Sequence, residues 1–516
     1  MKELEQLLAL FVAAIILAAA ARRVGAPYPV FLAVAGALLA FLPGAASFTV
    51  PAELALALFV APVLLDAAYD ASLRDLKDNW APVTGLVVCA VGLTTAAVAI
   101  VVRLLVPEMP WAAAIALGAI VAPPDAVVAT AVLRPLRPPH RILTILEGES
   151  LLNDASALLI YRVAVGAVAA NSFSIASIGP TFLLAVAGSV VAGPALGWVV
   201  MRLMDRIQHI PSAIILQFVT TFGVWILAEH IGLSGVLTTV CYAMMLARVS
   251  PRRMGARMRM PSYAVWETVV FALNILAFIF IGLQLRPILH DLEAANRPRY
   301  AAVAGAVLVT VIVARFAWHM PFNAFIRWRD RHRGFNPPRP MLRPTLGSGL
   351  TISWAGMRGI VSVAAALALP ADFPYRDLIM LTAFSVVLGT LLIHGLTLKP
   401  LLRALAFRDD DPVAREVTTA RERALHAGLA SFASDGSSAA ENVRQEITSH
   451  LAYQRAEADV HDTTRSAHRE LHRGALQAAR DAVLAMRDKH EIGDDAFRRV
   501  EEELDLLEIA VTRGSD

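Results

Sequence analysis

The chain has 516 residues, 57% of them hydrophobic and 17% charged, with a formal net charge of +3 and a mean hydropathy of +0.58. A soluble chain of this length carries more charge and does not sustain repeated apolar runs of about 20 residues. A membrane β-barrel alternates over segments of roughly ten residues, and this sequence does not.

Only helices then satisfy the backbone in lipid, and the expected class is an all-α polytopic membrane protein. The first apolar run, "LLALFVAAIILAAAARR", has its arginines after the run rather than before it, so it reads as a retained helix and not a signal peptide. Apolar segments of spanning length follow at 4–22, 28–44, 50–71, 81–106, 111–133, 141–170, 179–203, 211–230, 233–249, 263–285, 299–320, 346–370 and 376–402. About thirteen transmembrane helices are expected in residues 1–407, with a helical cytoplasmic tail over 408–516.

Loops after the odd-numbered segments are basic, for example "RPLRPPHR", "PRRMGARMRM" and "RWRDRHRG", whereas those after the even-numbered ones, such as "PEMP" and "PADFPY", are not, with only the "RPILHDLEAANRPR" loop mixed. The positive-inside rule puts the N-terminus outside and the C-terminus in the cytoplasm of a cell-membrane protein. An odd number of spans gives the same result. The tail holds 15 basic and 23 acidic residues, leaving 31 basic and 20 acidic in the membrane part. That balance fits membrane topology and anionic lipid, and no nucleic-acid partner is expected. Cys89 and Cys241 form no metal spacing or disulfide framework and read as small core residues. No phosphate loop, HExxH or GxSxG motif appears, so neither a cofactor nor an enzymatic activity is expected. No selectivity-filter signature of a cation channel is present either.

Ionisable residues deep in a span cost roughly 2.5–3.5 kcal/mol on insertion scales and mark function. Six stand out: Asp66, Asp125, Glu149, Asp154, Glu267 and Arg358. In "EGESLLNDAS", Ser150 and Asp154 are four apart and share a helix face, while Glu149 and Asn153 share the next. A second buried acid beside Asp154 needs a countercharge, and mid-span Arg358 is the candidate, giving a structural Glu149–Arg358 pair. "APPDAVVA" breaks the fifth segment with two prolines, freeing carbonyls such as that of Pro124 beside Asp125. "WAGMRGIV" breaks the twelfth with Gly356 and Gly359 around Arg358. Segments 4–6 and 11–13 would be inverted repeats with broken central helices, placing a transport site near the midplane. Glu267 and Asn274, seven apart on one face, either line a path or form an interhelical hydrogen-bond pair.

"EGESLLNDA", "APPDAVVA", "FVAPVLLDAAYD", "VWETVVFALNILAFIFIGLQL" and "WAGMRGIVSVAAALALP" together closely resemble the bacterial form of the sodium/proton exchangers, monovalent cation:proton antiporters of the NhaP/NHE type. The resemblance covers the membrane part in order. It implies that Asn153 and Asp154 mark the ion-binding helix, that Ser150 and Asp125 help hold Na+ with Asp154, and that Glu149 and Arg358 brace the site. It places Asp66 at the family's acidic third-span position, where pathway or pH modulation is the expected role, and implies a homodimer. Pro124 stands where the family usually has threonine, removing a hydroxyl that bears on the choice among Na+, Li+ and K+. With Asn153 rather than a second acid before Asp154, one cation would exchange for one proton, electroneutrally. The runner-up is K+/H+ exchange at the same aspartates.

Overall fold

The computed structural model describes residues 2–24, 27–42, 54, 56–169, 175–293, 295–332, 344–407, 412–434, 437–459 and 462–489, with short pieces of 497–507. The expected loops at 43–50 and 171–174 and the start of the third segment at 50–53 lie outside them, as do residues 408–411, where the tail was expected to begin. The chain divides into two units, Met1–Asp410 and Asp411–Asp516.

Every one of the thirteen apolar segments contains helix, and no strand occurs among the described residues. In the first unit α1 is Lys2–Val24 and α2 Tyr28–Leu39. A π-helical turn, Leu56–Val60, leads into α3, Ala61–Asp70. A short connecting helix, α4 (Leu73–Asp78), precedes α5, Trp80–Leu105. The broken fifth segment gives α6 (Trp111–Val121) and α7 (Ala126–Leu133). The next five helices are α8 (His140–Ala169), α9 (Ile175–Met204), α10 (Ile210–His230), α11 (Gly235–Arg253) and α12 (Ala256–Leu283). After α13 (Leu285–Asp291) comes α14, Arg297–His332. The broken twelfth segment is α15 (Leu346–Trp354) and α16 (Ile360–Leu367), and α17 (Arg376–Leu405) closes the unit. Eight of the described helices, counting Trp111–Leu136 as one, are long and apolar enough to cross a membrane.

Helices in lipid gain nothing from burying leucine against leucine, so close backbone contact between small residues does the packing. At the α2–α12 crossing a Cβ on Gly36 would lie 2.5 Å from Ile279 O, and one on Gly282 2.3 Å from Ala33 O. Gly118 of α6 meets Thr95 O of α5 at 2.5 Å in the same sense, and Gly193 of α9 meets Thr238 O of α11 at 2.7 Å. Outward faces carry Ile15, Leu104, Val191, Ile215 and Val309, all exposed, as membrane-facing residues should be. Trp80, Trp111 and Trp328 are exposed at helix ends, the depth of an aromatic belt. Cys89 departs from its expected core position: it is exposed on a π-helical turn of α5, while Cys241 is half-buried. An extra residue per π turn rotates the helix face, which carries the side chain outward.

The N-terminal end of α8 is held by a polar cluster. Ser72 caps α4 by accepting from Asp75 N, His140 Nε2 lies 3.2 Å from Asp75 Oδ2, and Arg141 Nε donates to Asn79 Oδ1 at 3.1 Å. The described residues of the second unit include the helices Pro412–Ser431, Ser438–Asp459 and Asp462–Asp488, with Arg480 paired to Asp505.

Candidate cation site

Two consecutive prolines remove two backbone donors, and α6 stops at Val121 before an extended stretch through Asp125. The second break, Gly356–Gly359, passes across the first. Asp125 N donates to Met357 O at 2.7 Å, a backbone bond between the two interruptions. Asp125 caps α7, its Oδ1 accepting from Val127 N at 2.9 Å. Its other oxygen rests on the start of α16: a Cβ at Gly359 would lie 1.7 Å from Asp125 Oδ2, so no other residue fits there without displacing the carboxylate. The Asp125 carboxylate therefore faces two helix N-termini, each carrying partial positive charge.

The opposite ends are matched by Arg358. Its Nε donates to Val121 O at 3.0 Å and its Nη2 to Ala122 O at 3.1 Å, while Nη1 donates to Gly356 O. These are carbonyls left unpaired where α6 and α15 stop. Arg358 is 1% exposed, and its guanidinium is consumed by helix C-termini.

The expected Glu149–Arg358 pair is thus not formed. Glu149 is held by Arg315 of α14, with Nη1–Oε1 at 2.5 Å and Nη2–Oε2 at 2.7 Å, a two-pronged pair at 3% and 2% side-chain exposure. Arg315 also donates to Ile352 O at 3.0 Å and Ser353 O at 3.2 Å near the end of α15. The physical reason is geometric. Arg358 sits inside the break and reaches unpaired carbonyls, whereas Arg315 brings a planar fork to both carboxylate oxygens. Gly356 makes room for it, since a Cβ there would lie 2.5 Å from Arg315 Cδ. Arg315 was not among the six residues singled out in the sequence. Its signal was available: an arginine inside the apolar run "LVTVIVARFAW".

On α8, Asn153 Nδ2 donates to Pro124 O at 2.8 Å, and Ser150 Oγ accepts from Ala126 N at 3.3 Å. Both bonds tie α8 to the break beside Asp125. Asn153 is fully buried, and its Oδ1 has no partner. Asp154, 6% exposed, lies within electrostatic reach of Asp125, and neither arginine pairs with it. Ser150, Asn153 and the Pro124 carbonyl are thereby gathered around two acids, Asp125 and Asp154, with no ion-pair partner among the described residues, in a setting where both guanidinium groups are already committed.

The transmembrane model of the sodium/hydrogen exchangers matches residues 7–404. The chain belongs to the sodium/hydrogen exchanger family. A Mycobacterium tuberculosis protein named as a Na+/H+ exchanger is 31% identical to it, over 96% of this chain and 93% of that one. A low-affinity Na+/H+ antiporter of Synechocystis is 30% identical over 78% of this chain and 75% of its own length. A sodium, potassium, lithium and rubidium/H+ antiporter of Bacillus subtilis is 30% identical, over 72% of this chain and 57% of that protein. The fold resembles that of the sodium proton antiporter of Methanocaldococcus jannaschii, with a TM-score of 0.58, 16% identity, and coverage of 79% of this chain and all of that one.

In this exchanger the remaining acidic positions fall elsewhere. Asp66, Glu267 and Asn274 line a cavity of about 500 Å³, together with Tyr69, Arg134 and Phe271. Glu267 and Asn274 thus share one cavity wall. The wall also includes Met204, Ser250 and Met254, at the helix ends that adjoin basic loops. Phe271 packs edge-on against Tyr28 at 5.9 Å, and Tyr28 stands within electrostatic range of Asp125.

Proposed function

We propose that this exchanger is a secondary active antiporter that trades Na+ or Li+ for H+ at Asp154. One observation carries the reading: buried Asp154 lies within electrostatic reach of half-buried Asp125, while Arg358 and Arg315 are held by carbonyls and by Glu149. Two carboxylates so placed need a cation or a proton, because a bare charge in a low-dielectric interior is costly. The two occupants compete for the same oxygens.

Ser150 Oγ, the free Oδ1 of Asn153 and the second lone pair of Pro124 O supply neutral ligands around the acids, and hard oxygen donors suit alkali cations. The cycle then runs by alternating access. A site loaded with one cation or one proton is neutral at Asp154 and crosses; the empty charged site does not. One cation for one proton makes the exchange electroneutral. Entry follows the acidic cavity at Asp66 and Glu267, which concentrates cations and lies on the side of the basic loops, the cytoplasmic side by the positive-inside rule. The N-terminus is then outside, the tail cytoplasmic, and the protein a homodimer in the cell membrane.

The K+/H+ reading has one observation of its own. Pro124 offers only a carbonyl, already bonded to Asn153, so the site holds fewer strong ligands for a small ion. The Bacillus relative named for four alkali cations is compatible with it.

The test is cation-dependent proton flux in proteoliposomes, stepping through Na+, Li+ and K+ with wild type and Asp154→Asn. Dissipation of a pH gradient by Na+ in wild type, lost in the variant, is expected. Full activity in Asp154→Asn overturns the assignment of Asp154, and proton flux driven by K+ alone moves the substrate to potassium.

A further inference from the structure

The end of α8 away from the cavity carries a contact that the transport site does not use. Glu229 sits in the last turn of α10, where a carboxylate opposes the negative end of the helix dipole. It is held there from two sides. Oε1 accepts from Gly235 N, at the start of α11, at 2.9 Å, and Oε2 accepts from Arg162 Nη2 of α8. Gly235 is fitted to the arrangement, since a Cβ there would lie 2.8 Å from Glu229 Oε1 and 3.1 Å from the Trp225 ring.

The partners of Glu229 differ in kind. The start of α11 is tied to the middle of α9: Ser234 N donates to Ser189 Oγ at 3.1 Å, and Ser234 caps α11 through Leu237 N. Arg162 makes the one side-chain hydrogen bond among the described residues that joins α8 to this group. It lies on the same helix as Ser150, Asn153 and Asp154, two turns beyond Asp154. The 500 Å³ cavity lies toward the other membrane face, between α3, α9, α10, α11 and α12 and Arg134.

We propose that the Arg162–Glu229 pair is a latch that holds the far face of the transporter closed while the cavity at the near face is open. The inference rests on the alternating-access reading above. For the site on α8 to open to the far face, α8 must part from α9–α11, and this bond must break. The carboxylate stays with Gly235 and the guanidinium leaves with α8. The pair therefore biases the resting population toward the cavity-open state.

The experiment measures that population without requiring transport. Leu246, which lines the cavity, is changed to cysteine in full-length protein with Cys89→Ala and Cys241→Ala. A membrane-impermeant maleimide is added to oriented vesicles from the cavity side, and the labelling rate is read. Arg162→Gln and Glu229→Gln each slow labelling about two- to fivefold, the range that partly exposed ion pairs carry. Arg162→Lys keeps the charge and labels near the unmodified rate. The double variant labels no more slowly than either single, because both remove the same contact. Glu229→Gln retains an oxygen for Gly235 N, so it reports on the pair even where Arg162→Gln does not fold. Unchanged labelling in Glu229→Gln, or additive effects in the double variant, overturns the latch. Failure of wild type to exchange Na+ for H+ would count against the proposed function and leave the labelling result standing.

Discussion

Replacing Glu149 by leucine should reveal which arginine it serves. The carboxylate and the Arg315 guanidinium are 2% and 3% exposed and joined by two bonds of 2.5 and 2.7 Å. Breaking a buried pair by removing one partner costs about 3–5 kcal/mol, because the other charge is left unpaired. At roughly 2 °C per kcal/mol for a large domain, Glu149→Leu should lower the melting temperature of detergent-purified protein by about 6–10 °C. Arg315→Met should lower it by a similar amount, with a further loss of about 1 kcal/mol or more from the freed carbonyls of Ile352 and Ser353. Combining the two removes both charges together, and a buried pair replaced by apolar residues is often neutral in cost. The double variant should therefore melt within about 3 °C of wild type, read by fluorescence-detected gel filtration after heating. If Glu149→Leu is instead recovered by Arg358→Met, or Arg315→Met is harmless alone, the pairing described here is wrong.

Three further outcomes follow from other contacts. Gly359→Ala should abolish exchange while leaving the detergent-purified protein folded, because its methyl group falls on the Asp125 carboxylate; full transport activity would show that the carboxylate can leave its place without consequence. Gly282→Ala forces α2 and α12 apart at a 2.3 Å contact and should destabilise the protein by about 1–3 kcal/mol, the range typical of overpacking, which is about 2–6 °C in melting temperature, measured against Gly305→Ala, which meets nothing within 4 Å. The third concerns acid. Burial pushes the Asp75 carboxyl up, but the His140 and Ser72 bonds and the Arg74 charge overcome it and hold the group below its ordinary value. A depressed carboxyl stabilises the fold above its unfolded pKa of about 3.9 and loses that contribution as pH falls through the folded value. Asp75→Asn should therefore flatten the acid-side fall in melting temperature below about pH 5, and an unchanged slope would remove Asp75 from the account.

Much of this architecture was legible in the sequence because membrane residence simplifies the code. Apolar length alone located thirteen helical segments, and the proline pair and the Gly356–Gly359 stretch marked both breaks. Ser150, Asn153 and Asp125 could be grouped because helical spacing and the break fix them locally. Partner choice was not legible. Nothing along the chain says that Arg358 spends its donors on Val121 and Ala122, since those carbonyls become available only where another helix stops. Arg315 escaped notice for a related reason. The eleventh segment was read as ending at residue 320, near that arginine, whereas the helix continues to His332 and leaves Arg315 deep inside it. The latch was hidden in the same way, because Glu229 at a helix end reads as a residue that reaches for water until α8 is seen beside it.

The crossing of the two broken helices also sets a schedule for biogenesis. Arg358 lies 237 positions after Val121, whose carbonyl it pairs, and Met357 supplies the acceptor for Asp125 N. The fifth segment therefore leaves the ribosome long before the groups that complete it exist. Until the twelfth segment arrives, its open carbonyls must stay hydrated or shielded, since each unsatisfied group in hydrocarbon costs several kcal/mol. The insertion machinery has to keep a half-made helix waiting at its exit, and a chain truncated before residue 355 would be a natural target for membrane quality control.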